Sequence, residues 1–500
     1  MQMARKGGLS GGLGQEMSYS PKKFFVYLSG TLSMEGLWGR VGAVGAGRIV
    51  YVGALLGAEI FLARKLSPPD FGSYKQLWEI FYRPLVPMFT LGVPAAIFYF
   101  YPRTPQEGRG RLTSLAGGVL LGSGTMVSLG LLLLASPISL RLKNPGLAEL
   151  LPNFSPYLGA MVAASFLEPF LLSSGRIKAL VRLSFTFALL SASVLVLPVA
   201  LGYGLEVALL GLSILGIGRL AFAWGYTVGR SGGYEGGGEL GPLMRYALPL
   251  GASSALGGLS IWVDKAIVSM FYPPDVAGVY MVGAREVPFV PIFLGSVSSV
   301  LSAELNRMHG EGPEAMVGLW GRTALKVATA IFPLFFFLIA FSGRLIPWAF
   351  GEGFEGAVLP FRLYLLMLPL RAAAYGPLVA ALGRPDMVLL GVAGDLAGNA
   401  LLSYLLVPRV GPWGAALATS FTTYLHVAFL LRIIRGLSGL SISQLLPWKE
   451  IARTACCGLL GISASLPLLK LGPAVLALAT GGTTFGAVYL LSLRLWTRRR

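Results

Sequence analysis

Charge is what this sequence has least of. Only 12% of its 500 residues are Asp, Glu, Lys or Arg, about half the share found in water-soluble domains, which excludes a fold solvated on every side. Cysteine is nearly absent: Cys456 and Cys457 are chain neighbours in an apolar segment, a poor geometry for a disulfide. With no Cys-x-x-Cys pattern and two histidines, His309 and His426, no metal site is supported. Acids are the scarcer sign, 22 against 40 Lys and Arg, for a net charge of +18. No basic domain stands apart to grip a duplex, so a nucleic-acid partner is not expected. A basic excess also arises when cytoplasmic loops of a membrane protein collect Lys and Arg.

What is present is apolar. Hydrophobic residues make up 55% of the chain and the mean hydropathy is +0.70. The expected class is an all-α polytopic membrane protein. Spans of about 20 residues are expected near 41–62, 78–101, 112–135, 154–173, 180–202, 205–228, 246–272, 278–303, 323–342, 357–382, 387–407, 414–434, 452–470 and 473–493, fourteen in all. Pro84, Pro87, Pro94, Pro249, Pro288, Pro291 and Pro333 fall inside them as kink candidates, since membrane helices tolerate proline where neighbours satisfy the freed backbone. With an even number of spans both termini share one side. The segments then assigned inside carry most of the Lys and Arg, which places both ends in the cytoplasm of a cell (inner, cytoplasmic) membrane.

The chain repeats itself. Leu66-Ser-Pro-Pro-Asp-Phe-Gly-Ser-Tyr74 returns as Tyr272-Pro-Pro-Asp-Val-Ala-Gly-Val-Tyr280, and each aspartate, Asp70 and Asp275, follows a lone intramembrane acid, Glu59 and Asp264, by the same interval. Pro169 to Arg176 returns as Pro377 to Arg384, and Pro198 with Gly202 and Gly204 as Pro408 with Gly411 and Gly414. Three landmarks in one order, each displaced by about 200 residues, read as a duplication. Six spans per copy make the copies parallel, related by an axis along the membrane normal. The expected domains are a tail with an interfacial segment (1–40), an N-lobe of six spans (41–228), a Gly-rich cytoplasmic linker (229–242), a C-lobe of six spans (243–435), and two further spans with a basic tail (436–500). The linker glycines lack the Gly-Lys-Ser/Thr ending of a phosphate loop and read as a flexible tether.

Outer loops are short, which leaves no room for a folded catalytic domain and argues against an enzyme. The chemistry is expected within the spans, where a charge costs roughly 2.5–3.5 kcal/mol at the helix centre and marks a functional site. Arg48 and Glu59 share a face of the first span. Glu79 and Arg83 have the spacing of a helix-stabilising pair. Glu168, Arg219, Asp264 with Lys265, Arg285 with Glu286, Arg371, and Asp395 with Asn399 complete the set. Neighbours such as Asp264 and Lys265 diverge by about 100° around a helix and are expected to face different surroundings. Spans 1, 2, 7 and 8 hold both acids and bases and are expected to line a polar cavity between the copies. Arg48, Arg83, Lys265, Arg285 and Arg371 suit a diphosphate, because a guanidinium fork matches phosphate oxygens. Glu59, Glu168, Asp264, Asp395 and Asn399 are candidates for charge pairing or for H⁺ or Na⁺ coupling.

The motifs Ala63-Arg-Lys-Leu-Ser-Pro-Pro-Asp-Phe-Gly-Ser-Tyr74, Asp264-Lys-Ala-Ile-Val268 through Val276-Ala-Gly-Val-Tyr280, Ala381-Leu-Gly-Arg-Pro385 and Leu406-Val-Pro-Arg-Val-Gly-Pro-Trp-Gly-Ala-Ala416 together resemble the Wzx-type oligosaccharide flippases of the multidrug/oligosaccharidyl-lipid/polysaccharide exporter superfamily. The resemblance runs over nearly the whole chain. It implies two six-helix lobes in a V, alternating access, no cofactor, and movement of an undecaprenyl-diphosphate-linked oligosaccharide from the inner to the outer leaflet for polysaccharide biosynthesis. The implied partners are the lipid-linked oligosaccharide, membrane lipids, and a polysaccharide polymerase or glycosyltransferases. Membrane potential, H⁺ or Na⁺ would supply the drive. A flippase of the peptidoglycan precursor looks similar, but that branch's arginine arrangement in the first span is not found; only Arg48 stands there. Two alternatives are a multidrug or metabolite exporter of the same superfamily, with a more acidic and aromatic cavity, and a membrane glycan polymerase or glycosyltransferase, which needs a catalytic outer loop.

Overall fold

The computed structural model describes residues 37–228, 240–308, 310–470 and 472–497. Among these residues the chain is helical throughout, with no strand. The tail, the interfacial segment 24–34 and residues 229–239 of the linker fall outside the described residues, while Gly241 lies in the first turn of the seventh helix. We number the helices α1 (Leu37–Lys65), α2 (Pro68–Arg103, interrupted), α3 (Gln106–Leu133), α4 (Leu147–Ser173), α5 (Ile177–Ala200), α6 (Gly204–Val228), α7 (Leu240–Phe271), α8 (Pro274–Gly283), α9 (Val290–Arg307), α10 (Pro313–Phe350), α11 (Val358–Leu365), α12 (Tyr375–Ala381), α13 (Pro385–Val410), α14 (Trp413–Ser438), α15 (Trp448–Ser465) and α16 (Ala474–Thr497).

Among the described residues ten helices are long and apolar enough to cross a membrane, and eleven if the bent α7 counts as one span. Three of the expected fourteen are not counted by that criterion: 41–62, which lies in α1, and two that are interrupted locally. The stretch 278–303 is broken between α8 and α9, where Pro288 lies and Phe289 takes a positive φ of 72°. The stretch 357–382 divides into α11, a turn of 3₁₀ helix at Pro369–Ala372, and α12. Both breaks fall beside charged residues, Arg285 and Glu286 in one and Arg371 in the other. Irregular backbone at membrane depth is tolerated where it lines a cavity or is covered by protein. The bend in α7, of 47°, falls between Ser260 and Trp262.

The second helix begins earlier than hydropathy indicates. Ser67 caps it, its hydroxyl accepting from the Asp70 amide at 3.3 Å, and Pro68 and Pro69 fill the first turn, where no amide is missed. The span therefore starts at Pro68, and Lys75, expected in an outer loop, is buried at 1% exposure. A π-helical turn at Leu77–Tyr82 follows, and then a break at Leu91–Gly92, both with positive φ.

Helices α3, α4, α5 and α6 pack around one another and on α1, with α4 the most enclosed. In the second half α13 packs on α14 and α7, α11 on α14, and α15 with α16 against α10. The halves meet through α7 on α2 and through α8 on the start of α2. There the duplicated glycines touch: a Cβ on Gly72 would lie 1.8 Å from the Pro274 carbonyl oxygen, and one on Gly278 would lie 2.7 Å from Gly72 Cα. Only glycine permits that approach. Two basic side chains close the same end: Lys143 donates to the Phe271 carbonyl at 3.0 Å, and Arg64 donates to the Ala349 carbonyl at 2.9 Å and to that of Trp348. Each crosses from the first half to the C-terminal carbonyls of a helix in the second, where orphan acceptors and the negative dipole end favour a cation.

Candidate functional site

Beneath that contact lies a cavity of about 440 Å³. Its walls come from α1 (Tyr51 to Glu59), α2 (Tyr74 to Pro84), α7 (Gly258, Trp262, Lys265), the break and first turn of α9 (Ala284 to Ile292), and Tyr364 of α11. Of the proposed basic residues, Arg83, Lys265 and Arg285 face it. Arg371 lines a neighbouring smaller space and reaches the cavity wall through an ion pair with Glu286. The side chain of Arg48 lies outside the described residues.

The basic groups are not free charges. Arg285 grips Glu59 with both ends of its fork, Nη1 to Oε1 at 3.1 Å and Nη2 to Oε2 at 2.9 Å, across the two halves. Lys75 Nζ donates to Glu59 at 2.9 Å and to Glu79 at 3.0 Å. Glu79, Lys75 and Glu59 are almost fully enclosed, so their charges persist only because each has a partner of opposite sign. Arg83 is the loosest member. Its Nε stands 3.5 Å from Glu79, and about half of its side chain is exposed. The expected Glu79–Arg83 pair is thus present, while the closer partner of Glu79 is Lys75, which sequence reasoning missed. The Ser-Pro-Pro cap and the four-residue spacing of Lys75 to Glu79 were the available signals.

Asp264, at the position that repeats Glu59, forms a second cluster in the other half. It accepts from the Tyr280 hydroxyl at 2.6 Å and the Tyr364 hydroxyl at 2.5 Å, while Lys265 Nζ lies 3.4 Å from its Oδ1 and 5.4 Å from the Tyr364 ring centre. The expectation that Asp264 and Lys265 face different surroundings is corrected here. Lysine's four-carbon stem folds back, so both are buried in one cluster.

The remaining candidates lie elsewhere. Glu168 borders a separate apolar cavity of about 400 Å³ between α4, α5 and α6, together with Arg219, whose guanidinium lies 4.2 Å from the Phe187 ring centre. Asn399 is buried between α13 and α14, accepting from Ser403 at 2.9 Å and Thr419 at 3.2 Å. Asp395, one turn before it, is half-buried, and neither residue lines the central cavity.

Three cations and three acids, Glu59, Glu79 and Glu286, thus face one chamber inside a helical membrane protein, walled also by Tyr51, Trp78, Tyr82, Trp262 and Phe289. Paired helical halves around a charged chamber define a membrane transporter. A family of polysaccharide biosynthesis proteins matches residues 61–359, and the chain belongs to it. A probable low-salt glycan biosynthesis flippase of Haloferax volcanii is 22% identical over 187 residues, 35% of this chain and 39% of that protein. The matched region thus spans well under half of that relative. Among solved structures, the lipid II flippase MurJ in an inward closed conformation superposes with a TM-score of 0.70 at 16% identity, covering 91% of this chain and 98% of its own. An inward-facing multidrug resistance transporter of the MATE family superposes at 0.67 with 14% identity, covering 83% and 99%. At these identities the likeness establishes a shared fold.

Proposed function

We propose that the chain is a flippase for a lipid-linked oligosaccharide, carrying an undecaprenyl-diphosphate-linked glycan from the inner to the outer leaflet of the cytoplasmic membrane by alternating access between its two lobes. The single observation that carries this reading is the chamber that joins Arg83, Lys265 and Arg285 between the halves. The Pro-Pro-Asp end, closed at Gly72 and Gly278, is read as the outer end, in keeping with the distribution of basic loop residues. The diphosphate enters on Arg83, the most accessible cation, while the prenyl chain stays in lipid. Moving two negative charges outward down an inside-negative potential releases about 4–5 kcal/mol per 100 mV, at about 2.3 kcal/mol per charge, so potential alone supplies a drive.

The test is translocation of a fluorescent undecaprenyl-diphosphate glycan in vesicles. Arg83→Ala, Lys265→Ala and Arg285→Ala are each expected to slow it severalfold; unchanged rates in all three remove the reading. The exporter reading has one observation in its favour, the matching number of acids and the aromatic side chains on the same wall. Extrusion of cationic dyes by the same vesicles, with no movement of the lipid-linked glycan, would establish it instead.

A further inference from the structure

We propose that Glu59 is the resident anion of the cavity, which an incoming diphosphate displaces from Arg285, and that Lys75 is the positioning residue that receives it. This rests on the reading that the cavity takes a diphosphate. The geometry states the problem such a substrate meets: the buried arginine best placed for it is already held in a two-point grip by a carboxylate of the other half. A fork-to-fork pair satisfies a guanidinium as fully as a phosphate does. A second anion therefore binds only if Glu59 leaves.

Glu59 has somewhere to go. Lys75 already donates to its Oε1 at 2.9 Å from within the same half, and is itself shared with Glu79 at 3.0 Å. Releasing Arg285 lets Glu59 turn wholly onto Lys75, with Glu79 turning toward Arg83, now 3.5 Å away. Each acid exchanges one cation for another, and none is left alone at low dielectric, where an unpaired charge is prohibitive. The diphosphate entering between Arg285 and Arg83 replaces one carboxylate, that of Glu59 on Arg285, and its second charge faces the half-exposed Arg83. A buried ion pair contributes little net stability against an apolar substitute, and a switch is its best-attested use. The π-helical turn at Leu77–Tyr82 is the device that sets Glu79 and Arg83 around this point, and such turns recur at functional sites.

The exchange has a mechanical consequence. The Glu59–Arg285 bond ties α1 to the break before α9, on the cavity side of the Gly72–Gly278 contact. Substrate that takes Arg285 cuts that tie, so occupancy of the chamber favours separation of the outer end. A ligand moves such an equilibrium only through its differential affinity for the two states, and the broken inter-half bond is that difference.

The experiment uses inorganic pyrophosphate as the probe. The full chain is reconstituted in nanodiscs with Cys456 and Cys457 replaced by serine and spin labels placed at Arg141→Cys and Glu355→Cys, both exposed at the Pro-Pro-Asp end. Pyrophosphate binding by calorimetry and the label-to-label distance are read together. Glu59→Gln is expected to bind pyrophosphate about tenfold more tightly and to show the longer distance without ligand. Glu59→Asp, a variant that keeps the charge and the Lys75 bond but falls short of Arg285, is expected between the two. Lys75→Met is expected to weaken binding about tenfold in the native background and to have no effect on it in the Glu59→Gln background, a dependence that a merely structural lysine would not show. Unchanged or weaker binding by Glu59→Gln overturns the exchange, and equal effects of Lys75→Met in both backgrounds overturn the role of Lys75. If no variant retaining Arg285 and Arg83 binds pyrophosphate, it is the diphosphate reading of the cavity that has failed, and the exchange falls with it.

Discussion

The Gly72–Gly278 crossing lends itself to a quantitative test. In Gly72→Ala the added Cβ would meet the Pro274 carbonyl oxygen at 1.8 Å and its carbon at 2.2 Å. Carbon and oxygen ordinarily approach no closer than about 3.3 Å, so the two helices must part by roughly 1.5 Å. Neither clashing atom belongs to a side chain that can rotate away. Overpacking of this kind costs about 1–3 kcal/mol, and here the cost falls on the closed state alone, because the contact exists only when the halves meet. The open outer end should gain about 5- to 150-fold in relative population. The assay is alkylation of Ala277→Cys, buried beneath the crossing, by a membrane-impermeant maleimide in a background with Cys456 and Cys457 replaced by serine. The rate is expected to rise by that factor. Gly124→Ala is the control: its Cβ would meet the Gly159 carbonyl oxygen at 2.3 Å, a backbone clash of the same kind, though less severe, within the first half between α3 and α4. It should lower thermal stability without exposing position 277. If Gly72→Ala leaves the alkylation rate unchanged while the protein remains folded, the crossing is not a moving contact and the reasoning is refuted.

Other outcomes follow from the same geometry. Arg64→Ala removes the donor to the Ala349 and Trp348 carbonyls and is expected to raise alkylation at position 277 by a smaller factor than Gly72→Ala. Asp264→Ala takes from Lys265, Tyr280 and Tyr364 their shared carboxylate and should destabilise the protein by about 3–5 kcal/mol; adding Lys265→Met should recover part of that loss in a thermal melt. Asn399→Leu strips the acceptor from Ser403 and Thr419. A loss of about 1–3 kcal/mol is expected in the same melt, with pyrophosphate binding at the central cavity unaffected.

Much of the fold was legible in the residues because apolar runs in a bilayer have few alternatives to the helix. The repeat was legible for a similar reason. Gly175 and Gly383, like Gly202 and Gly411, prove to be turns with positive φ, and few residues other than glycine take that conformation at low cost. The count of continuous spans was less so: a hydropathy window averages over Arg285 to Phe289 and over Arg371, and the breaks there depend on what the neighbouring helices cover. The site was partly legible. Isolated charges in apolar runs stand out, so Glu59, Asp264, Lys265 and Arg285 were found. Lys75 was not, because hydropathy begins the second span too late to include it.

The sequence alone determined that this is a helical membrane protein of repeated halves, whose charges are too few and too costly in lipid to be incidental. Tertiary structure decided which of those charges meet. Arg285 binds Glu59 across 226 residues of chain, Lys265 folds back onto its own neighbour, and Glu168 and Asn399 lie in other places altogether. Pairing depends on which helices pack together and how far each is turned, and periodicity along one helix holds no information about the rotation of another.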